Sequence, residues 1–325
     1  MKINYIKSCV DEIVKGKKPQ AICVTAIGDN FSKIFNTISL PFFKSYCERY
    51  GLGLLVLKDF VFPKNKLKPP FDTRPNLQRL LFPKIILENF PNYKYICDID
   101  ADCIPGPVAR DIFAYAYSKN TNKKDIFLIP PTPSNFNRLD IGKRLSLLRK
   151  TYIDPSFPLD TLISASDYGE KKIFDLKFKG PIAVIGTCLG STRLLAKCFD
   201  LVIKKISKHF GIYLQHYTNA IFRKEGNVRW LPYEFQAIWS NEIALYYPFL
   251  FTKGVDKNIL SSCVLSSLLR VDMLHFAGSW PENDVFSNGT FLKNKNLIKD
   301  YYSEISDHLM KKIYPKSYGK LIFKK

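Results

Sequence analysis

Apolar residues fall along this chain in short unbroken runs separated by stretches of helical spacing, the alternation that builds a parallel α/β sheet. AICVTAIGDN (21–30) predicts a buried first strand closing on a Gly-Asp-Asn turn. From Phe31 to Tyr50 the apolar positions Ile34, Ile38, Phe42, Phe43 and Tyr46 recur at helical intervals; Gly51 then supplies a C-cap, and LGLLVL (52–57) reads as the next strand. This is a βαβ opening. Ahead of it, residues 1–18 predict a short amphipathic helix ending in a basic turn. A loop rich in Pro and Lys spans Pro63 to Pro75, and LQRLLFPKIILENF (77–90) predicts a helix interrupted or started by Pro83.

Past the central strand discussed below, residues 108–117 predict a helix and Asp125 to Pro130 a strand. Residues 131–180 show little periodicity and are rich in Pro, Asp and Lys, the signature of a binding loop over a cleft. GPIAVIGTCLGS (180–191) is a strand and turn of small residues, Thr192 to Phe210 a helix, and LQHYTNAIF (214–222) a further helix. NVRWLPYEFQAIW (227–239) and DMLHFAGSW (272–280) read as strands running into loops. No repeat is visible. From Asn294 onward the chain is basic and aromatic.

The chemistry concentrates in YKYICDIDADCIPGP (93–107). Three apolar strand residues lead into Asp98, Asp100 and Asp102, spaced two apart, and Pro105, Gly106 and Pro107 break the element. On a strand, residues two apart share a face, so the carboxylates repel unless a cation sits among them. Oxygen ligands at that spacing suit Mg²⁺ or Mn²⁺, which also hold substrate phosphates and water. A solvated acidic turn is the alternative. The strand end is where open α/β sheets bind ligands. His275, at another strand end, makes a third ligand suited to Mn²⁺. The turn at Thr25 to Asp29 offers backbone N–H groups to a nucleotide, and Arg79 and Lys84 offer cations to a base or a phosphate.

A length of 325 residues allows one large α/β domain or two smaller ones, and 46% hydrophobic and 14% aromatic positions can bury a substantial core. The formal charge of +20 favours anionic partners without choosing among them. The eight cysteines are scattered with no C-x-x-C pair, as expected of buried reduced thiols in a reducing compartment. No apolar run approaches the ~18 residues of a membrane span, so a cytoplasmic protein is expected. No G-x-S-x-G elbow, H-E-x-x-H pair or P-loop is present.

In their order, these motifs resemble the GT-A glycosyltransferases, most closely those of family 8. RLLFPKIILENFPNYKYICDIDAD is similar to that family's helix leading into an Asp-x-Asp metal motif; LQHYTNAIF to its D-Q-D-x-x-N segment; RWLP (229–232) to its Leu-Pro strand; and HFAGSW to its late H-x-x-G motif. The likeness spans about Ala21 to Trp280. Leu214 and His216 replace the two aspartates around Gln215, Pro281-Glu282-Asn283 stands in place of a Lys-Pro-Trp, and the Asn-Ala-Gly strand appears only as Lys179-Gly180-Pro181.

The resemblance implies a mixed sheet flanked by helices over residues 1–293, with a nucleotide-binding half at about 20–107 and an acceptor half at about 108–293, then a basic tail at 294–325. It implies sugar transfer, with retention, from a nucleotide-sugar donor (UDP-sugar) to a glycan or lipid-linked acceptor. Mn²⁺ or Mg²⁺ would be held by Asp100, Asp102 and His275. Thr25, Ala26, Arg79 and Asp100 would bind the nucleotide, Asp98 would orient the ribose or donor sugar, and Gln215 would lie at the anomeric carbon. The lysines and aromatics of 308–325 would contact an anionic membrane surface peripherally. Two other readings stand beside this one. Asp98 and Asp100 also fit the nucleophile and acid of a haloacid-dehalogenase-type phosphohydrolase. The charge alone would suit a nucleic-acid binder, but no recognition motif supports one, and no nucleic-acid partner is expected.

Overall fold

The computed structural model describes residues 8–61, 75–118, 121–136, 138–150, 171–173, 176–178, 182–206, 214–252, 255–278 and 281–289. The loop expected at 63–75, half of the cleft loop at 131–180 and the basic tail lie largely or wholly outside them.

Among the described residues, twelve strands follow one another as β1 (Val10–Val14), β2 (Gln20–Thr25), β3 (Gly53–Leu57), β4 (Tyr95–Asp100), β5 (Cys103–Pro105), β6 (Asp125–Leu128), β7 (Lys171–Ile173), β8 (Leu176–Phe178), β9 (Thr187–Ser191), β10 (Asn227–Trp230), β11 (Ala237–Ile238) and β12 (Met273–His275). Seven form one mixed sheet in the order β1-β3-β2-β4-β9-β6-β10. β2 runs parallel to both β3 and β4, as the βαβ opening requires, while β9 runs antiparallel to its neighbours β4 and β6. The architecture is the expected one, a mixed sheet flanked by helices.

Each face of the sheet buries its own alternating set of side chains. Cys23, Leu55, Ile96 and Cys188 face the layer made by helices Phe82–Asn89, Thr192–Ile206 and Leu214–Glu225. Ile22, Val24, Leu54, Cys97 and Ile99 face the layer made by helices Leu40–Tyr50 and Ile112–Ala116. Full burial of such side chains contributes about 1.5–3 kcal/mol each. A third cluster, around Trp239, Ile243, Val264 and Phe276, packs helices Trp239–Tyr246 and Lys257–Arg270 beside a small sheet in the order β11-β12-β5.

Several elements differ from expectation. Residues 10–14 form an edge strand antiparallel to β3 rather than part of an amphipathic helix. The helical spacing in VDEIV was overridden because the outer edge of β3 leaves backbone donors and acceptors that a strand satisfies. Arg138–Leu148 is a helix inside the stretch read as irregular. The segment from Phe31 to Tyr50 is helical throughout, with one π-turn at Phe35–Ser39, and Gly51 ends it in the left-handed conformation at φ 68°. Pro83 lies in the first turn of Phe82–Asn89, where its missing N–H costs nothing, after a 3₁₀ turn at Arg79–Leu81. None of the eight cysteines forms a disulfide, and all are buried. Among the described residues no helix is long and apolar enough to cross a membrane.

Just after β5, the backbone at Gly106 approaches the end of helix Lys257–Arg270 closely. A Cβ there would run into the carbonyl oxygens of Leu268 and Val271. Gly106→Ala is therefore expected to destabilise the fold by roughly 1–3 kcal/mol, read by urea unfolding. An unchanged midpoint would show that the Lys257–Arg270 helix is free to move away.

Candidate metal and donor site

The site begins with the alternation of β4. Asp98 and Asp100 project to the same face of the strand, the one carrying Ile96, while Cys97 and Ile99 point into the opposite layer. Asp98 is wholly buried between Cys23 of β2 and Cys188 of β9, its direct partners in the ladder. A carboxylate there needs a cation. Arg79, on the 3₁₀ turn above, supplies it: Nε donates to Asp98 Oδ2 at 2.9 Å and Nη2 to the same oxygen at 2.8 Å, while Nη1 donates to Asp100 Oδ1.

The electrostatics follow from burial and this pairing. Burial raises the Asp98 pKa above the ordinary carboxylate value, and Arg79 opposes it only in part. Asp100 is pushed up to about 6, first by burial, with Asp102 and Asp98 adding to it and Arg79 and His275 opposing. Arg79 stays firmly protonated: burial works against its charge, but Asp100 and Asp98 outweigh it. Three carboxyl groups gathered beside one guanidinium and one imidazole leave an excess of acidic oxygen donors, a balance that suits a divalent ion.

Asp102 lies beyond the strand, in the turn before β5, so its direction is set by the second sheet rather than by β4. β5 pairs antiparallel with β12, placing Cys103 opposite His275, and Phe276 N–H donates to Asp102 C=O at 3.0 Å. His275, only 2% exposed, brings Nε2 to 3.2 Å from Asp102 Oδ1 and 3.5 Å from Asp100 Oδ2. Burial disfavours the imidazolium, yet Asp102 and then Asp100 raise the His275 pKa above its ordinary value. Asp102, Cys103 and His275 each offer a ligand atom within 4.8 Å of the others. These oxygen, nitrogen and sulfur donors stand on or beside the small sheet, and Asp100 approaches His275 from the end of β4 in the main one.

Gly186 makes that approach possible. Its carbonyl accepts the Asp100 N–H at 2.8 Å, and a Cβ at this position would lie 2.6 Å from His275 Cε1 and 2.8 Å from Asp100 Oδ2, and would also run into the Gln236 amide. Gln236 in turn lies 2.9 Å from His275 Nδ1. Neither Gly186 nor Gln236 carries a signal in the sequence, because each matters only for what the fold sets beside it. Cys103, next to the aspartate motif, was passed over as a core thiol.

A cavity of about 380 Å³ opens at the carboxyl ends of β2 and β4, lined by Thr25, Ile27, Phe31, Arg79, Asp100, Ala101 and Asp102. Thr25 Oγ1 is buried without a hydrogen-bond partner. Ala26 supports this wall through its backbone, donating to Leu57 C=O at 2.9 Å and accepting from Ser32 Oγ at 2.6 Å. Asp98 is not in the lining; its geometry makes it the anchor of Arg79 rather than a group that meets a sugar or ribose. The same burial argues against Asp98 as a phosphohydrolase nucleophile, since Oδ2 is occupied by Arg79 and Oδ1 is enclosed.

Gln215 is also outside the described lining. It stands on the first turn of Leu214–Glu225, and its carbonyl accepts from Asn219 Nδ2 at 2.9 Å. The Asn219 amide clamps the backbone of Ala183, accepting from its N–H at 2.9 Å and donating to its C=O at 3.0 Å. This turn is thus tied to the segment that ends at Gly186. Glu282, at the position where the family pattern expects a lysine-bearing motif, is buried and paired with Arg149. Lys84 points to Asp200 at 3.8 Å rather than to the cavity.

No protein-family model and no curated protein matches the sequence. Among solved structures, the chain is similar to a glycosyltransferase involved in the glycosylation of the major capsid of PBCV-1, at 9% identity and TM-score 0.47, over 83% of this chain and 98% of that one. It is also similar to A197 from STIV, at 15% identity and TM-score 0.34, over 66% and 82% of the two chains. A third likeness, to the bifunctional glycosyltransferase WbbM, has 12% identity and TM-score 0.40 and covers 83% of this chain but 47% of that one. Likeness at this level carries no activity from one protein to another.

The Arg79–Asp98 pair gives a stability test. Arg79→Ala strands a buried carboxylate and is expected to cost roughly 3–5 kcal/mol in urea unfolding. Adding Asp98→Asn should recover part of that loss, because it removes the stranded charge. If Asp98→Asn changes stability by the same amount with Arg79 present and with Arg79→Ala, the pair is not coupled.

Proposed function

We propose that the protein is a metal-dependent glycosyltransferase that moves a sugar, with retention, from a nucleotide-sugar donor, a UDP-sugar, to a glycan or lipid-linked acceptor. One observation carries the reading: the carboxylates of Asp100 and Asp102 and the Arg79 guanidinium line the cavity on the carboxyl edge of the sheet, with the buried His275 imidazole set against both carboxylates. The motif resemblance across Ala21 to Trp280 supports it independently of the geometry.

Asp100, Asp102 and His275 fit a divalent cation, Mn²⁺ or Mg²⁺, because Asp100 Oδ2, Asp102 Oδ1 and His275 Nε2 face one another and are oxygen and nitrogen donors of the kind such ions take. When bound, such an ion neutralises charge on the diphosphate of the leaving nucleotide. The chain's own residues prepare the rest. Arg79 has five N–H donors and makes three hydrogen bonds to Asp98 and Asp100, so donors remain for a phosphate oxygen in the cavity it lines. The Asp98 and Asp100 contacts fix its plane in advance, so little side-chain entropy is lost on binding. Thr25 Oγ1 offers a hydroxyl without a competing partner, and Ile27 and Phe31 provide an apolar wall. Gln215 at the anomeric centre, and retention with it, rest on the family resemblance. The membrane contact of 308–325 concerns residues outside those described and rests on their lysine and aromatic content alone.

Asp100→Asn and Asp102→Asn should each lower sugar transfer and acceptor-free donor hydrolysis by at least about a hundredfold, while circular dichroism stays that of the parent protein. The assay is a panel of nucleotide sugars with EDTA-treated protein and added Mn²⁺. Turnover at the parental rate in either variant would dismiss the metal-assisted reading. A thermal shift with UDP that is the same with and without Mn²⁺ would dismiss it as well.

A further inference from the structure

The two nitrogens of His275 face different partners. Nε2 points to the carboxylates of Asp102 and Asp100, whereas Nδ1 meets the Gln236 amide. Gln236 is 1% exposed and belongs to a 3₁₀ turn, Tyr233–Gln236, that delivers the chain into β11, the neighbour of β12. Its Nε2 lies 2.9 Å from His275 Nδ1, and its Oε1 is buried with no hydrogen-bond partner among the described residues.

This arrangement has a chemical consequence. When Gln236 donates to Nδ1, the neutral ring carries its proton on Nε2, where it faces Asp102. In that tautomer Nε2 has no lone pair for a cation. Turning the amide over exchanges its two ends: Oε1 then accepts from an Nδ1–H, and the Nε2 lone pair is exposed toward Asp100 and Asp102. Because Oε1 has no partner, no further hydrogen bond is broken by the exchange. A carboxylate or a backbone carbonyl could only accept, and an apolar side chain could do neither. Gly186 leaves the room for the amide, since any side chain there would occupy its place.

We propose that Gln236 is a positioning residue for the metal site, holding the His275 ring in both tautomers and taking its Nδ1–H through Oε1 when Nε2 engages a divalent cation. The inference rests on the reading that Asp100, Asp102 and His275 bind such an ion. It adds a residue that contacts the ligand histidine and not the substrate, and so it acts through cation affinity.

The test measures Mn²⁺ binding directly, by the EPR signal of the free ion, in the full chain and in Gln236→Leu and Gln236→Glu. Gln236→Leu should weaken Mn²⁺ binding on the order of 10–100-fold, as the loss of a partner behind a ligand histidine does. Gln236→Glu accepts from Nδ1–H and should stay within about threefold of the parent. This rescue separates hydrogen-bond chemistry from packing. On the parent protein, at a pH where the His275 ring is neutral, ¹⁵N NMR should show the proton on Nε2 without metal and on Nδ1 with saturating Mg²⁺; this measurement decides the matter if Gln236→Leu does not fold. Parental affinity in Gln236→Leu, an equal loss in both variants, or one unchanged tautomer with and without Mg²⁺ would each overturn the assignment while leaving the metal site standing. A parent protein that binds neither ion would remove the metal reading and this inference together.

Discussion

A single guanidinium held between two carboxylates on one face of a strand is the interaction on which the site depends. Asp98 is enclosed in the sheet between two cysteines, where an unpaired charge would be costly, and Arg79 is the cation that makes it tolerable. The pairing also works outward. By fixing Arg79 through Asp98, the fold presents the remaining face of the guanidinium to the cavity and takes up only one oxygen of Asp100, leaving Oδ2 turned toward His275. Buried ion pairs seldom add stability over a well-packed apolar core. Its presence here is better explained by the geometry it imposes than by the energy it supplies.

The second half of the site is built on a different sheet. β5 leaves β4 after a two-residue turn and pairs with β12, so the covalent continuity of residues 98–105 carries the acidic motif from the main sheet to the small one. His275 arrives by register, opposite Cys103, and not by any local feature of its own segment. Where three elements close on one point, side chains must be absent as well as present. Gly186 provides that absence, with His275, Asp100 and Gln236 all lying where its side chain would be. Together these contacts gather the Asp102 carboxylate, the Cys103 thiol and the His275 imidazole at one spot, with Asp100 Oδ2 turned toward the imidazole, beside a cavity whose other walls come from the first βα turn.

Much of this was legible in the chain. The unbroken apolar run of 21–25, the helical spacing to Tyr50 with Gly51 after it, and the run of 53–57 specify a parallel βαβ unit because both strands are buried on both faces and the helix on one. Asp98 and Asp100 sharing a face follows from the pleat alone. The edge strand β1 was not legible, because VDEIV fits a helical period as well as a strand and only the open edge of β3 decides between them. The helix Arg138–Leu148 was hidden by a sequence whose apolar spacing is weak and whose burial comes from Trp239–Tyr246 packed against it.

For the site, the sequence by itself determined the donor types and their local order: alternating carboxylates at a strand end, an arginine on the preceding helical turn and a histidine at a later strand end. Tertiary structure alone decided the roles. It turned Asp98 inward to hold Arg79, left Asp100 facing the cavity, brought His275 to Asp102 by strand register, and set Gln236 behind the imidazole and Gly186 against all three. The physical reason is that local periodicity fixes only which face a side chain takes. What it meets on that face depends on the pairing of strands more than 150 residues apart in the chain, as β5 and β12 are here.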